Sequence, residues 1–164
     1  MLNIQLQPGD LQGDVVPQED SPVGVQEASI TLHPGNSWYS PGGAFRLTLQ
    51  DSDTNLVWQV VDQATLPPWQ QGQPLNPANL NWIPVWSPFI QGQGVTQVDM
   101  QIDGNLVAYA GRNPANPGFN TNTFQFRHAF LRLQDDGNLV VYDSAGVPRF
   151  ATNTSVLETP GKNT

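Results

Sequence analysis

Apolar and polar residues alternate in six short runs along the chain: FRLTL (45–49), TNLVWQVV (54–61), VTQVDMQI (95–102), NLVAYA (105–110), FQFRHAFLRLQ (124–134) and NLVVYD (138–143). A period of two is the mark of strands with one buried face. Fifteen glycines and fifteen prolines, with Asn, Asp and Ser beside them, leave few windows for an uninterrupted helix. The pattern predicts an all-β chain of short strands, arranged as a sandwich, a barrel or a prism.

The runs are not independent. QIDGNLVAY (101–109) and QDDGNLVVY (134–142) agree at Gln, Asp, Gly, Asn, Leu, Val and Tyr with the same gaps. Each is followed by a similar tail, FNTNT (119–123) and FATNT (150–154). Phe119 lies fifteen residues before Gln134, and fifteen residues before Gln101 lies Trp86. Trp86 therefore reads as the tail of an earlier copy, whose motif is DSDTNLVWQ (51–59), with Asp53, Asn55 and Val57 in register. The chain is a threefold repeat.

The Asp-Gly pair inside the motif is a hairpin-turn signal. In the third copy LRLQ rises, DDGN turns and LVVY returns. This gathers Gln134, Asp136, Asn138 and Tyr142 on one side near the turn, with Leu139 and Val141 toward a core. The set offers a carboxylate acceptor, two amides, a hydroxyl and an apolar patch from Val140. A neutral polyol suits it: hydroxyls for the polar groups and a C–H face for the valine. No general base stands beside a nucleophile, so the constellation binds and is not that of an enzyme.

Three copies of QxDxNxVxY resemble the signature of the monocot mannose-binding, or bulb-type, lectin family, over about residues 28–157. The resemblance implies a β-prism II fold, with three four-stranded antiparallel sheets around a pseudo-threefold axis and aromatic residues at the centre. It implies that Gln, Asp and Asn bind the 2- and 3-hydroxyls of mannose, that Tyr takes the 4-hydroxyl and that Val packs on the ring carbons. Carried over, one site is Gln101, Asp103, Asn105, Val107 and Tyr109, and the other is Gln134, Asp136, Asn138, Val140 and Tyr142. No metal or other cofactor takes part in that mode. The family also implies two-chain units made by exchange of the carboxy-terminal strand, here FATNTSVLE (150–158). A protein-interaction or toxin-targeting module on the same fold is the alternative function.

The first copy departs from the signature. Asp51 stands at the Gln position and Gln59 at the Tyr position, while Asp53, Asn55 and Val57 remain. Aligning Gln50 with the motif Gln instead inserts one residue, which turns side chains to the opposite face unless a bulge absorbs it. This third site is expected to be dead or altered. Asp51, Asp53, Asn55 and Asp62 also match calcium-loop positions one, three, five and twelve. However, Leu56 stands where that loop needs glycine and no helices flank it, so no metal is expected. His33 and His128 are isolated and read as surface or packed residues.

Composition narrows the partners. The 164 residues carry 14 acidic and 6 basic side chains, a net charge of −8, with no basic patch for nucleic acid or an anionic membrane. The absence of cysteine excludes disulfides, a thiol nucleophile and cysteine-ligated zinc. The opening MLNIQLQPGD has neither a basic start nor an apolar run, so no cleavable signal is read, and no run reaches the ~18 residues of a membrane span. A soluble chain is expected, cytoplasmic or exported by another route. Residues 1–27, rich in Gln, Pro and acid, read as an amino-terminal extension, either a tail or an added edge strand. Residues 28–164 read as the prism, with an insert near 62–84 that is expected to be an ordered surface loop carrying Trp69 and Trp82. Trp86 is expected in the core.

Overall fold

A computed structural model describes residues 2–19, 27–68, 72–110 and 117–155. Trp69 and residues 156–158 of the tail lie outside the described residues. In chain order the strands are β1 (Leu11–Gln12), β2 (Gln18–Glu19), β3 (Glu27–Ala28), β4 (Ile30–Leu32), β5 (Ser37–Tyr39), β6 (Phe45–Leu49) and β7 (Leu56–Val61). After two 3-10 turns, at Gln63–Thr65 and Pro77–Asn79, come β8 (Trp82–Trp86), β9 (Val95–Met100) and β10 (Leu106–Ala110). The last four are β11 (Pro117–Asn120), β12 (Phe130–Leu133), β13 (Leu139–Tyr142) and β14 (Pro148–Ala151).

Each repeat folds into one antiparallel meander: β6-β7-β8, β9-β10-β11 and β12-β13-β14. The free edge of each meander's first strand is then covered by chain from the amino-terminal part. β5 pairs with β6 (Trp38 opposite Leu47), and β4 pairs with β9 (Thr31 opposite Asp99). Val15 bridges to Leu131 of β12 through two backbone hydrogen bonds of 2.8 and 2.9 Å. The result is a three-sheet prism, as the family resemblance implies, with two differences of detail. Sheet one gains a fifth, parallel strand, because β1 lies beside β5, and sheet three has only a bridge where a fourth strand would be. The choice left open for the extension falls on the side of an edge: Val15 is 1% exposed and belongs to the core.

Period-two alternation sends one face of every meander inward. Leu47, Leu49, Leu56 and Trp58 from sheet one meet Val98, Met100, Leu106 and Ala108 from sheet two and Leu131, Leu133, Leu139 and Val141 from sheet three. Burial of that much apolar surface is the main favourable term. Trp58 also donates its Nε1 hydrogen to the Gly137 carbonyl at 2.8 Å, which ties sheet one to the third repeat's turn. Trp86, Phe119 and Phe150 come from β8, β11 and β14 and meet near the pseudo-threefold axis. Their ring centroids lie 5.6, 6.1 and 6.3 Å apart, all edge to face, the geometry that the ring quadrupole favours. Counting residues back from the second motif placed Trp86 in this set.

Two elements differ from expectation. The run 124–134 is a strand only over Phe130–Leu133, because Ala129 N–H donates to the Phe126 carbonyl at 2.9 Å and His128 takes a φ of +71°, turning the chain. The alternation ahead of that turn arises instead from an exposed Phe124 and from Phe126, which packs under Arg149. The insert ends one residue before Trp82, where β8 starts. Its base is closed by Asp62 N–H to the Asn81 carbonyl at 2.8 Å, and Asp62 and Asn76 cap its two 3-10 turns.

Candidate functional site

The second and third hairpins share one backbone. Gln101 N–H donates to the Asn105 carbonyl at 2.9 Å and Gly104 N–H to the Gln101 carbonyl at 2.9 Å. In the third repeat, Gln134 N–H to Asn138 and Gly137 N–H to Gln134 are each 3.1 Å. Both glycines sit at φ +98°, the left-handed residue of a three-residue hairpin loop. Inside each turn the aspartate holds the asparagine. Asp103 Oδ1 accepts from Asn105 N–H, and Asp136 Oδ1 from Asn138 N–H, both at 2.9 Å. One carboxylate oxygen is therefore spent on the turn and Oδ2 is left.

The asparagines are spent in the same way. Asn138 Oδ1 accepts from Asn153 N–H (2.9 Å), Thr154 N–H (3.3 Å) and the Thr152 hydroxyl (3.2 Å). Asn105 Oδ1 accepts from the Thr121 hydroxyl and from Thr123 N–H, both at 3.2 Å. Paired threonine hydroxyls complete the strut. Thr121 and Thr123 touch at 2.7 Å and Thr123 donates to the Gly104 carbonyl at 2.6 Å. Thr152 and Thr154 repeat this at 2.7 Å, with Thr154 donating to the Gly137 carbonyl at 2.5 Å. These threonines are the supporting residues that motif reading left unexplained. Their signal was present in the recurring FNTNT and FATNT tails.

Gln101 donates to the Tyr109 hydroxyl. In the third repeat the Gln134 amide lies 2.6 Å from the Tyr142 hydroxyl. Turned so that its nitrogen donates to Asp136 (3.0 Å) and its oxygen accepts from Tyr142, that amide satisfies both neighbours. Val107 and Val140 lie between these groups and are nearly buried, each 2% exposed. All ten motif residues of repeats two and three are thus brought together in two clusters. What remains for a ligand in each is a carboxylate oxygen, an asparagine amide nitrogen, a Gln–Tyr pair and a small apolar floor; in repeat two one hydrogen of that nitrogen is shared with Asn120 Oδ1 at 3.5 Å.

Repeat one is built differently. Gln50 N–H donates to the Asn55 carbonyl and Thr54 N–H to the Gln50 carbonyl, both at 2.9 Å. Gln50, not Asp51, therefore takes the backbone position of Gln101 and Gln134, and the extra residue is absorbed in the turn. Asp51 is exposed there, and Thr54 takes the glycine's place at φ +59°. Asp53 still holds Asn55 N–H at 3.0 Å, and Asn55 Oδ1 accepts from the Ser87 hydroxyl and Ile90 N–H, each at 3.0 Å. Val57 is buried. At the tyrosine position, Gln59 Oε1 accepts from Arg46 Nε at 2.7 Å, and that guanidinium stacks 4.2 Å from the Trp82 ring. Burial lowers the Arg46 pKa and raises that of its neighbour Tyr39.

Among the described residues no group of three or more His, Cys, Asp or Glu is gathered as a metal site would need. Nor is any helix long and apolar enough to cross a membrane. A cavity of about 550 Å³ lies away from all three hairpins, between Leu2–Asn3 and the insert, against Leu66, Pro68, Leu75 and Leu80.

No protein-family model matches the sequence, and no curated protein matches it either. Solved structures do. The Japanese Marasmius oreades lectin is 23% identical, with a TM-score of 0.60 over 89% of this chain and 97% of its own. The monomeric monocot mannose-binding lectins from Gastrodia elata are 24% identical, with a TM-score of 0.51 over 77% of this chain and 93% of theirs. The chain has the bulb-type lectin fold. The mannose-specific agglutinin from snowdrop (Galanthus nivalis) bulbs, solved with methyl-α-D-mannoside, is 30% identical over 76% of this chain and 90% of its own, with a TM-score of 0.47. In the bulb-type lectin fold of this chain, the amino-terminal segment that closes sheet three is the least expected part.

Proposed function

We propose that this protein is a lectin that binds mannose or mannose-bearing glycans at the hairpins of repeats two and three, without a metal. One observation carries the reading. In both hairpins the internal bonds consume one oxygen of the aspartate and the carbonyl of the asparagine. The remaining Asp Oδ2, Asn Nδ2 and Gln–Tyr pair are thereby fixed in direction around a valine. Preorganised groups of this kind bind hydroxyls without first paying to be ordered. Mannose is preferred to glucose, since only its axial 2-hydroxyl meets the Asp and Asn pair. Each site is shallow and polar, so affinity for free mannose is millimolar, about −4 kcal/mol. Useful binding comes from engaging both sites on a branched or surface-bound glycan. Repeat one contributes no mannose site, because Arg46 engages the residue standing at its tyrosine position.

The test is the double variant Asn105→Asp plus Asn138→Asp. Aspartate keeps an oxygen for the tail, so the fold survives, but it deletes the amide donor and sets a second carboxylate by the first. Binding to a mannose-coated surface should fall to background, and EDTA should change nothing for the parent. A folded double variant that binds as well as the parent overturns the lectin reading in favour of a protein-interaction module. For assembly we propose the family's two-chain unit, checked by light scattering at micromolar concentration. Residues 150–155 of the tail lie against their own chain, with Thr152 N–H on the Leu139 carbonyl at 3.0 Å. In a two-chain unit the exchanged tail (150–158) makes these same contacts with the partner's third sheet.

A further inference from the structure

The two intact hairpins carry the same motif but different neighbours. In sheet three, Arg132 of β12 lies directly opposite Val140, and Phe130 lies opposite Tyr142. The Arg132 guanidinium sits 5.2 Å from the Phe130 ring centre and 5.3 Å from that of Tyr142, and the two rings stack at 5.9 Å. Asp14, from the amino-terminal segment, fixes it there. Arg132 Nε donates to both Asp14 oxygens at 3.2 and 3.3 Å, and Nη2 donates to Oδ2 at 3.0 Å. Nη1 has no partner among the described residues, and the side chain is 45% exposed. In sheet two the same two positions hold Asp99, opposite Val107, and Gln97, opposite Tyr109. Asp99 is 8% exposed and its oxygens are occupied by the Thr31 hydroxyl (2.7 Å) and Gln97 Nε2 (2.9 and 3.0 Å). One site is thus flanked by an available planar donor over an aromatic pair, and the other by a carboxylate already satisfied.

We propose that Arg132, braced by Asp14, is a specificity-determining residue of the third-repeat site, donating to the second sugar of an oligosaccharide whose first residue rests on Val140. The inference rests on the lectin reading above. Position along the strand supports it. Asp136 and Asn138 lie at the turn end of the hairpin, whereas the guanidinium lies over the Phe130–Tyr142 pair, roughly 7 Å further along. That is beyond the first ring, on the side of the tyrosine. A guanidinium held by a carboxylate loses little freedom when it binds, and its fork suits the vicinal oxygens of a sugar. Among the described residues the strand opposite the second-repeat hairpin offers only Asp99 and Gln97 at these positions, so the two sites are not interchangeable: the third prefers a disaccharide and the second does not.

The full chain in two single-site backgrounds tests this, with methyl α-mannoside and an α-linked mannobiose as probes in NMR titrations. Asn105→Asp leaves the third-repeat site alone, and Asn138→Asp leaves the second. In the Asn105→Asp chain, mannobiose should bind about fivefold tighter than the monosaccharide, the yield of one net hydrogen bond. Adding Arg132→Ala should abolish that gain and leave the monosaccharide affinity within about twofold. Asp14→Ala, which keeps the guanidinium but not its brace, should reduce the gain. In the Asn138→Asp chain the two sugars should bind alike, with or without Arg132. A gain that survives Arg132→Ala, an equal gain at the second-repeat site, or an equal loss of both sugars would each overturn the proposal. If the parent binds neither sugar, it is the lectin reading that fails.

Discussion

Gly104 has no room for a side chain. Its φ is +98°, and a Cβ there would stand 2.1 Å from the Phe126 carbonyl oxygen and 2.8 Å from that of Thr123. Gly104→Ala should therefore destabilise the chain by about 2–4 kcal/mol. It should abolish mannose binding at the second repeat and spare the third, as denaturant unfolding and site-resolved titration will show. Asp143 makes a pH prediction. The Val147 amide, donating at 2.9 Å, is the largest influence holding its carboxyl below the ordinary range, and burial opposes it. Arg149 Nε and the Ala145 amide, also at 2.9 Å, add to the lowering. A carboxyl lowered on folding contributes stability that is complete above its unfolded pKa of about 3.9 and is lost as pH falls through the folded value. The β13–β14 turn should stay closed through mild acid and open only below that range, and the Asp143 carboxyl carbon shift will report it. The need for glycine was legible in the Asp-Gly pair. The crowding by Phe126 was not, because that contact comes from chain far along the sequence.

At the scale of the hairpin, the binding groups depend on the tail that follows them. Thr154→Val keeps the shape but removes the hydroxyl on the Gly137 carbonyl. Mannose affinity at the third repeat should fall by about fivefold, about 1 kcal/mol, while Thr154→Ser restores it. A merely structural role would lower the melting temperature of both variants without separating the two sites. Hairpin one supplies the contrast. With Gln59 held by Arg46, a titration should return at most two mannose sites per chain, and three equivalent sites would overturn the assignment. The motif was legible because it recurs with fixed gaps. The register of repeat one was not, since choosing between Gln50 and Asp51 depends on which loop absorbs the extra residue, and alternation alone does not say.

For the whole molecule, the threefold repeat and the place of Trp86 in it could be read from spacing, and the prism with its aromatic centre from the family resemblance, but the closure of sheet three could not. Residues 11–16 have too few apolar positions to show a strand period, and their partner is a distant edge. Val15→Asp should cost about 3–5 kcal/mol, because it places an unpaired charge in the core beside Leu131. Val16→Asp, at a position 44% exposed, should stay within about 0.5 kcal/mol. Urea unfolding of the pair separates a seated edge from a loose tail.

That seating sets an order of events during synthesis. Asp14 and Arg132 stand 118 positions apart. At ~5–20 residues per second, the early segment waits roughly 6–24 s before its partner strand is made. Pairing across such a span also closes late, since a long loop's entropy is spent before the contact repays it. Sheets one and two can take their edges from β5 and β4 as soon as their own meanders emerge. The third sheet cannot. A nascent chain stalled after repeat two should already protect β6 and β9 from proteases, yet leave residues 11–16 open to cleavage until β12 arrives.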